Sequence, residues 1–417
     1  MAASDAVNTR RPARTRRPLI ALLAADAISL TGSYFTLLAI PWFVLTTTGS
    51  AARSGLTAAI EALAVVVAGA TSGPLVDRLG HVRASVLSDL GSALAVAAIP
   101  LMAETIGIDF WQLIVLVFAG TLLGTPGIGA RRSLYAVAAE AGAVHLTRTN
   151  TAAATMNRAA GLVGPLLAGI LIAATGAANV LWIDAASFLA SALIVTIGVG
   201  RALPRPADES AEAMSYLKEM LSGLHFVRGD RVLAALLTGS ALGSLLAEPI
   251  YTVVFPVYAR ETTGKATSLG VIFAGLAAGS LTGNALSFVF AHRLPRRTTI
   301  ITGFAVRALA FWILVPVPSI LVVAIVIGMA AIALEPVNPI TTTVFQERVP
   351  ETMRGRVFGP YIALSYALRA MGVATYGVLL QWIGLHHTLL LLAAVNFIVP
   401  LFFVLNPGLR DIEQTRD

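Results

Sequence analysis

Six acidic residues stand inside long apolar stretches of this chain: Asp26, Glu61, Asp89, Asp184, Glu248 and Glu335. An ionised acid at mid-membrane depth costs about 2.5 to 3.5 kcal/mol, so each needs a compensating role, typically as a proton relay or an ion or ligand contact. Asp89 and Asp184 fall one to two turns from the starts of their stretches and read as interfacial or packing groups. The other four lie deeper. Asp26, Ser29, Ser33 and Thr36 follow 3-4-3 spacing and share one helical face. Ser240, Ser244, Glu248 and Thr252 do the same, as do Glu335, Asn338 and Thr342. Stripes of this kind cannot face lipid without unmet hydration, so they are expected to line a cavity.

Asp26 has no base on its own stripe, which makes it the first candidate for the proton-coupling acid, with Glu61 or Glu248 second. The plainer alternative is a hydrogen bond between helices. Arg369 shares a face with Tyr361, Ser365 and Tyr376, and Glu335 on the preceding span is its expected partner. Tyr34, Trp42, Tyr251, Trp312, Tyr361 and Tyr366 are candidate aromatic wall residues, the usual complement of a few polar anchors.

Other chemistry is excluded by residue type. Cysteine is absent, the six histidines all fall at loops or span edges, and no phosphate-cradling Gly-Lys-Ser/Thr loop occurs. Neither a metal path nor ATP is expected, no cofactor is implied, and no nucleophile-and-base pair points to an enzyme.

The elements that must hold these residues follow from composition. Of 417 residues 57% are apolar and 12% charged, against about 45 to 50% and 25% in ordinary globular domains. Twelve stretches of about 20 mostly apolar residues begin near Pro18, Arg53, Ala84, Asp109, Asn150, Asn179, Val232, Ala266, Thr298, Ile320, Val357 and Thr388. The expectation is an all-α membrane protein with 12 transmembrane helices in two pseudo-symmetric six-helix bundles. A basic tail (1–17) precedes the first bundle (18–200), and a linker (201–231) carries a short amphipathic helix from Tyr216 to Val227. The second bundle (232–406) and a tail (407–417) follow.

The net charge of +7 does not form one cationic face, so nucleic acid is not an expected partner. Only Arg53, Arg260 and Lys265 fall in odd loops and only Arg158, Arg307 and Arg369 within spans; the remaining bases flank the other side, which places both termini in the cytoplasm. Arg outnumbers Lys 27 to 2, a skew typical of GC-rich bacterial genomes, so a bacterial inner membrane is expected.

The halves are related in sequence. Pro41, Gly49 and Gly55, with Thr47, Thr48 and Ala51, recur 215 positions later as Pro256, Gly264 and Gly270, with Thr262, Thr263 and Ala266. Arg78-Leu79 recurs at Arg293-Leu294, and Arg158-Ala-x-Gly161 at Arg369-Ala-x-Gly372. Two bundles of one topology facing a central site is the physical reading.

After the second span the chain reads Gly73-Pro-Leu-Val-Asp77-Arg78-Leu-Gly80-His-Val-Arg83, which resembles the loop signature of the major facilitator superfamily. Asp77 at a helix end can pair with an arginine of a neighbouring helix and latch one conformation, while the glycines allow a tight turn and close approach. In the second half His292 and Pro295 replace the acid and a glycine. Span five holds Gly161-Leu-Val-Gly164-Pro165-Leu-Leu-Ala168-Gly169, which resembles the superfamily's antiporter motif, with Ala168 where glycine is usual.

Asp184-Ala-Ala-Ser-Phe, Gly223-Leu-His-Phe-Val-Arg228 and Gln346-Glu-Arg-Val-Pro350 with Arg354-Gly355-Arg356-Val-Phe358 resemble the macrolide-efflux and enterobactin-exporter branch. The resemblance covers nearly the whole chain and implies a twelve-helix exporter coupled to protons without fixing its cargo; the mix of carboxylates and aromatics points to amphipathic small molecules, and a two-bundle carrier needs no second copy to form its pathway. An anionic siderophore or lipid held by Arg369 and Arg307, or a uniporter or symporter on the same fold, is the alternative.

Overall fold

The computed structural model describes residues 15–199, 222–223, 225–290, 294–350 and 353–413. The basic tail before residue 15, His292 and most of the linker with its expected amphipathic helix lie outside the described residues. The described chain is helical and without strands.

The first half comprises α1 (Arg17–Thr48), α2 (Ala51–Leu79), α3 (His81–Thr105), α4 (Phe110–Ala141), α5 (Leu146–Thr175) and α6 (Ala177–Gly198). The second comprises α7 (Arg231–Thr262), α8 (Thr267–Phe290), α9 (Arg296–Leu314), α10 (Ile320–Arg348), α11 (354–383) and α12 (385–405). Among the described residues, eleven helical segments are long and apolar enough to cross a membrane. The last of them, Arg356–Leu405, is 50 residues long and would reach about 75 Å if straight, more than twice the hydrocarbon thickness. Two helices meet within it at Gly384, whose φ of 73° and ψ of 176° match the backbone at Gly80 and Gly176, where α2 turns into α3 and α5 into α6.

The sequence repeat has a geometric counterpart. Gly49 and Gly264 end α1 and α7 with φ of 70° and 68°, a left-handed conformation that glycine adopts without strain. Gly55 packs backbone to backbone against Gly377 of α11, and its repeat partner Gly270 packs likewise against Gly169 of α5. A methyl group at Gly55 would stand 2.8 Å from the Gly377 Cα, and one at Gly169 would stand 2.4 Å from the Gly270 Cα. These contacts lie at one end of the molecule, where a single apolar core draws Leu38 and Val44 from the first half and Phe255, Leu269 and Leu380 from the second.

At the other end, which carries the start of α1 and the α2–α3 turn, each half keeps its own core. Leu22, Leu134 and Val195 cluster in the first half, and Leu236, Ile300 and Phe403 in the second. The molecule is therefore sealed at one end and divided at the other.

Candidate functional site: a polar cavity in the first half

The α1 stripe does line a cavity. Asp26, Ser29, Ser33 and Thr36 face a space of about 670 Å³ walled entirely by the first half, which also receives Glu61, Asp89, Asp184 and Arg158. Toward the divided end its wall holds a charged cluster. Arg131 of α4 lies between two acids, its Nε 2.9 Å from Asp26 Oδ1 and its Nη1 2.8 Å from Asp89 Oδ2. Tyr135 Oη donates to Asp26 Oδ2 at 2.7 Å, Ser191 Oγ donates to Asp89 Oδ2 at 2.7 Å, and Arg131 Nη2 donates to Ser29 Oγ at 3.3 Å. Arg131 and Asp89 side chains are 3% and 2% exposed, whereas that of Asp26 is 27% exposed, so Asp26 is the member most open to the cavity.

A span of 20 residues begun near Asp109 ends before Arg131 and assigns it to a cytoplasmic loop. The helix instead runs 32 residues. A signal was present: Leu113, Val117, Gly120, Gly127, Arg131, Leu134 and Ala138 keep 3-4 spacing on one buried face, so Arg131 continues a packing stripe.

For Asp89 and Asp184, expected as interfacial or packing groups, the structure shows packing between helices. Both are buried, and Asp184 accepts hydrogen bonds from Thr36 Oγ1 and, at 3.0 Å, Ser187 Oγ. Gly32 makes room for this contact between α1 and α6, for a methyl there would stand 2.1 Å from Ser187 Oγ and 2.2 Å from Asp184 Oδ1.

A second space of about 250 Å³ lies between the halves. Glu61 and Ser33 border both spaces, and Tyr34, Thr252, Tyr366 and Arg369 complete the second. Arg369 pairs with Glu248 at 3.6 Å rather than with Glu335, whose Oε2 accepts from Asn284 Nδ2 at 3.0 Å. Glu248 stands in the last regular turn of α7, just before Pro249 and a π-helical turn at Ile250–Val254. Glu335, Asn338 and Tyr251 instead border a third space of about 100 Å³ in the second half. Among the other aromatic candidates, Tyr361 lines none of these three spaces, Trp42 is buried in the shared core, and Trp312 is 42% exposed.

The loop residues stand apart from any partner. Gly80, at φ 79°, makes the turn from α2 to α3, but a side chain at Gly73 would meet no neighbouring helix within 4 Å. Asp77, Arg78 and Arg83 are exposed, and none forms an ion pair among the described residues. In α5 the glycines serve two contacts. Gly161 and Gly164 form a notch for Tyr34 of α1, with buried Pro165 beside it, while Gly169 meets α8.

Two helical halves, sealed together at one end, with ion-paired groups in cavities that open at the other, define a polytopic membrane transporter of the major facilitator type. The chain belongs to the family of transmembrane secretion effectors, whose profile matches residues 14–416. It is similar to the multidrug efflux pump Tap of Mycolicibacterium fortuitum, 32% identical over 406 residues that cover 95% of this chain and 98% of that protein. Macrolide efflux protein A of Streptococcus pyogenes is 22% identical over 88% of this chain and 90% of its own. Among solved structures, an inward-facing, unoccupied bacterial homologue of the human lysosomal transporter Spinster superposes with a TM-score of 0.75 at 15% identity, covering 97% of this chain and 100% of that one. A D-xylose-proton symporter superposes with a TM-score of 0.70 at 13% identity, covering 93% and 97%. The protein is a multi-pass bacterial membrane transporter.

Proposed function

We propose that the protein is a proton-driven exporter of amphipathic small molecules, drugs or secondary metabolites among them, working by alternating access as an antiporter. The observation that carries this reading is the 2:1 ratio of acids to base in the Asp26–Arg131–Asp89 cluster, with Asp26 open to a cavity large enough for a drug-sized ligand. One guanidinium cannot neutralise two carboxylates, so the cluster has an excess negative charge that either a proton or a cationic group of the cargo can satisfy. Competition of the two for one charge is what exchange requires. Asp26 thus remains the coupling residue for a different reason from its bare stripe: Arg131 can give up Asp26 while keeping Asp89. Glu61, bordering two spaces, and Glu248, held by Arg369, are the secondary acids.

The similarity to Tap and to macrolide efflux protein A supports drug-like cargo. One proton moving down about 100 mV and one pH unit releases roughly 3.7 kcal/mol, enough for about a 500-fold gradient of a neutral cargo. The charge count puts both termini and the divided end in the cytoplasm, giving a cytoplasm-facing cavity and twelve spans if Gly384 turns outside. The bundles run over 18–200 and 232–406, and one copy suffices for the pathway. Asp77, Arg78 and Arg83 are a latch that closes in the opposite conformation. The alternative of an anionic cargo on Arg369 and Arg307 is weakened by the Arg369–Glu248 pair.

The test is proton release from purified, detergent-solubilised protein on addition of amphipathic cations and anions. Cationic ligands are expected to release protons from wild type and not from a folded Asp26→Asn variant. Equal release from the variant would reject Asp26, and binding without release would reject antiport.

A further inference from the structure

The 100 Å³ space in the second half is too small for a drug-sized molecule, yet it contains the most conspicuous unmet charge in the structure. Arg307 of α9 is only 7% exposed. Its Nε and Nη2 have no hydrogen-bond partner, and among the described residues no carboxylate lies within the 4.0 Å of an ion pair. Its nearest specific neighbour is the face of Phe304, 4.8 Å from the guanidinium carbon. Glu248, paired with Arg369, acts on Arg307 only from beyond ion-pair distance, so this buried guanidinium has no close countercharge, which is costly, and water supplies hydrogen bonds but no charge.

The surroundings are rich in donors. Tyr251, Ser280 and Asn338 line the same space. Glu335 borders the space as well, but its bond to Asn284 of α8 holds it short of Arg307.

We infer that Arg307, Asn338 and Tyr251 form a binding site for a small monovalent anion, chloride or a carboxylate group, separate from the cargo cavity of the first half. The inference does not rest on the export reading, and binding can be measured without transport. The anion compensates Arg307 where Glu335 does not.

The test is the thermal unfolding of the full chain in detergent, at constant ionic strength, with sodium chloride or sodium acetate against sodium gluconate, whose six-carbon anion does not fit. Chloride and acetate are expected to raise the melting temperature saturably, and gluconate not to. Arg307→Gln abolishes the response, and Asn338→Leu shifts the half-saturating concentration about tenfold upward. Identical melting in chloride and gluconate overturns the proposal, as does an undiminished chloride response in Arg307→Gln. If that variant does not fold, an unchanged response in both Asn338→Leu and Tyr251→Phe overturns it. A carboxylate-bearing amphiphile that competes with chloride identifies the acidic end of a larger ligand as occupant; failure to compete, with the chloride response intact, identifies a free anion.

Discussion

At the residue scale, Arg131 links three helices through side chains alone, meeting Asp26 on α1, Asp89 on α3 and Ser191 on α6. Removing it leaves Asp89 buried and without a cation, whereas Asp26→Asn keeps a hydrogen-bonding group of the same shape beside Tyr135. Arg131→Met is therefore expected to destabilise by about 3 to 5 kcal/mol and Asp26→Asn by much less. Thermal unfolding of the two purified variants checks the order. Asp26 was legible in the sequence as an acid in an apolar run, but its partner was not, because Arg131 and Asp26 are 105 positions apart. Gly32 illustrates the same limit, since only the approach of Ser187 and Asp184 explains why a side chain is absent there.

Among the elements, α4 extends beyond membrane thickness and so carries a base inward, and α7 changes register at its π turn. Both depart from a regular 20-residue span, and the length of α4 places Arg131 inside a helix rather than in a loop. The two glycine contacts, Gly55–Gly377 and Gly169–Gly270, have the opposite status: their repeat-related members Gly55 and Gly270 were visible as an internal match. Close glycine packing lets helix backbones meet and part with little side-chain rearrangement. Gly377→Leu should wedge the sealed end apart. Because the chain has no cysteine, a single Thr125→Cys on the cavity wall reports access cleanly. Membrane-impermeant thiol reagent is expected to label it from the divided end in the parent and from both ends when Gly377→Leu is added.

For the whole molecule, the shared core at one end and separate cores at the other are the arrangement expected of one of the two states in the proposed alternating access. The turn at Gly384 decides the span count, and its φ and ψ belong to a region essentially restricted to glycine. A reporter that is active only outside the cytoplasm, fused after Gly384, should be active, and one fused after Asn406 inactive. Activity of both, or of neither, would contradict twelve spans with a cytoplasmic C-terminus.

What the sequence determined by itself rests on periodicity and composition, which are local: the apolar runs, the helical stripe from Asp26 to Thr36, the duplicated Pro-Gly-Gly pattern and the glycine turns were all legible along the chain. What only the tertiary structure decided is pairing. Which arginine meets Asp26, which acid meets Arg369 and which cation is left without a partner depend on helix length, register and crossing, because ion pairs act over a few ångströms between residues that may be brought together from any distance in the chain.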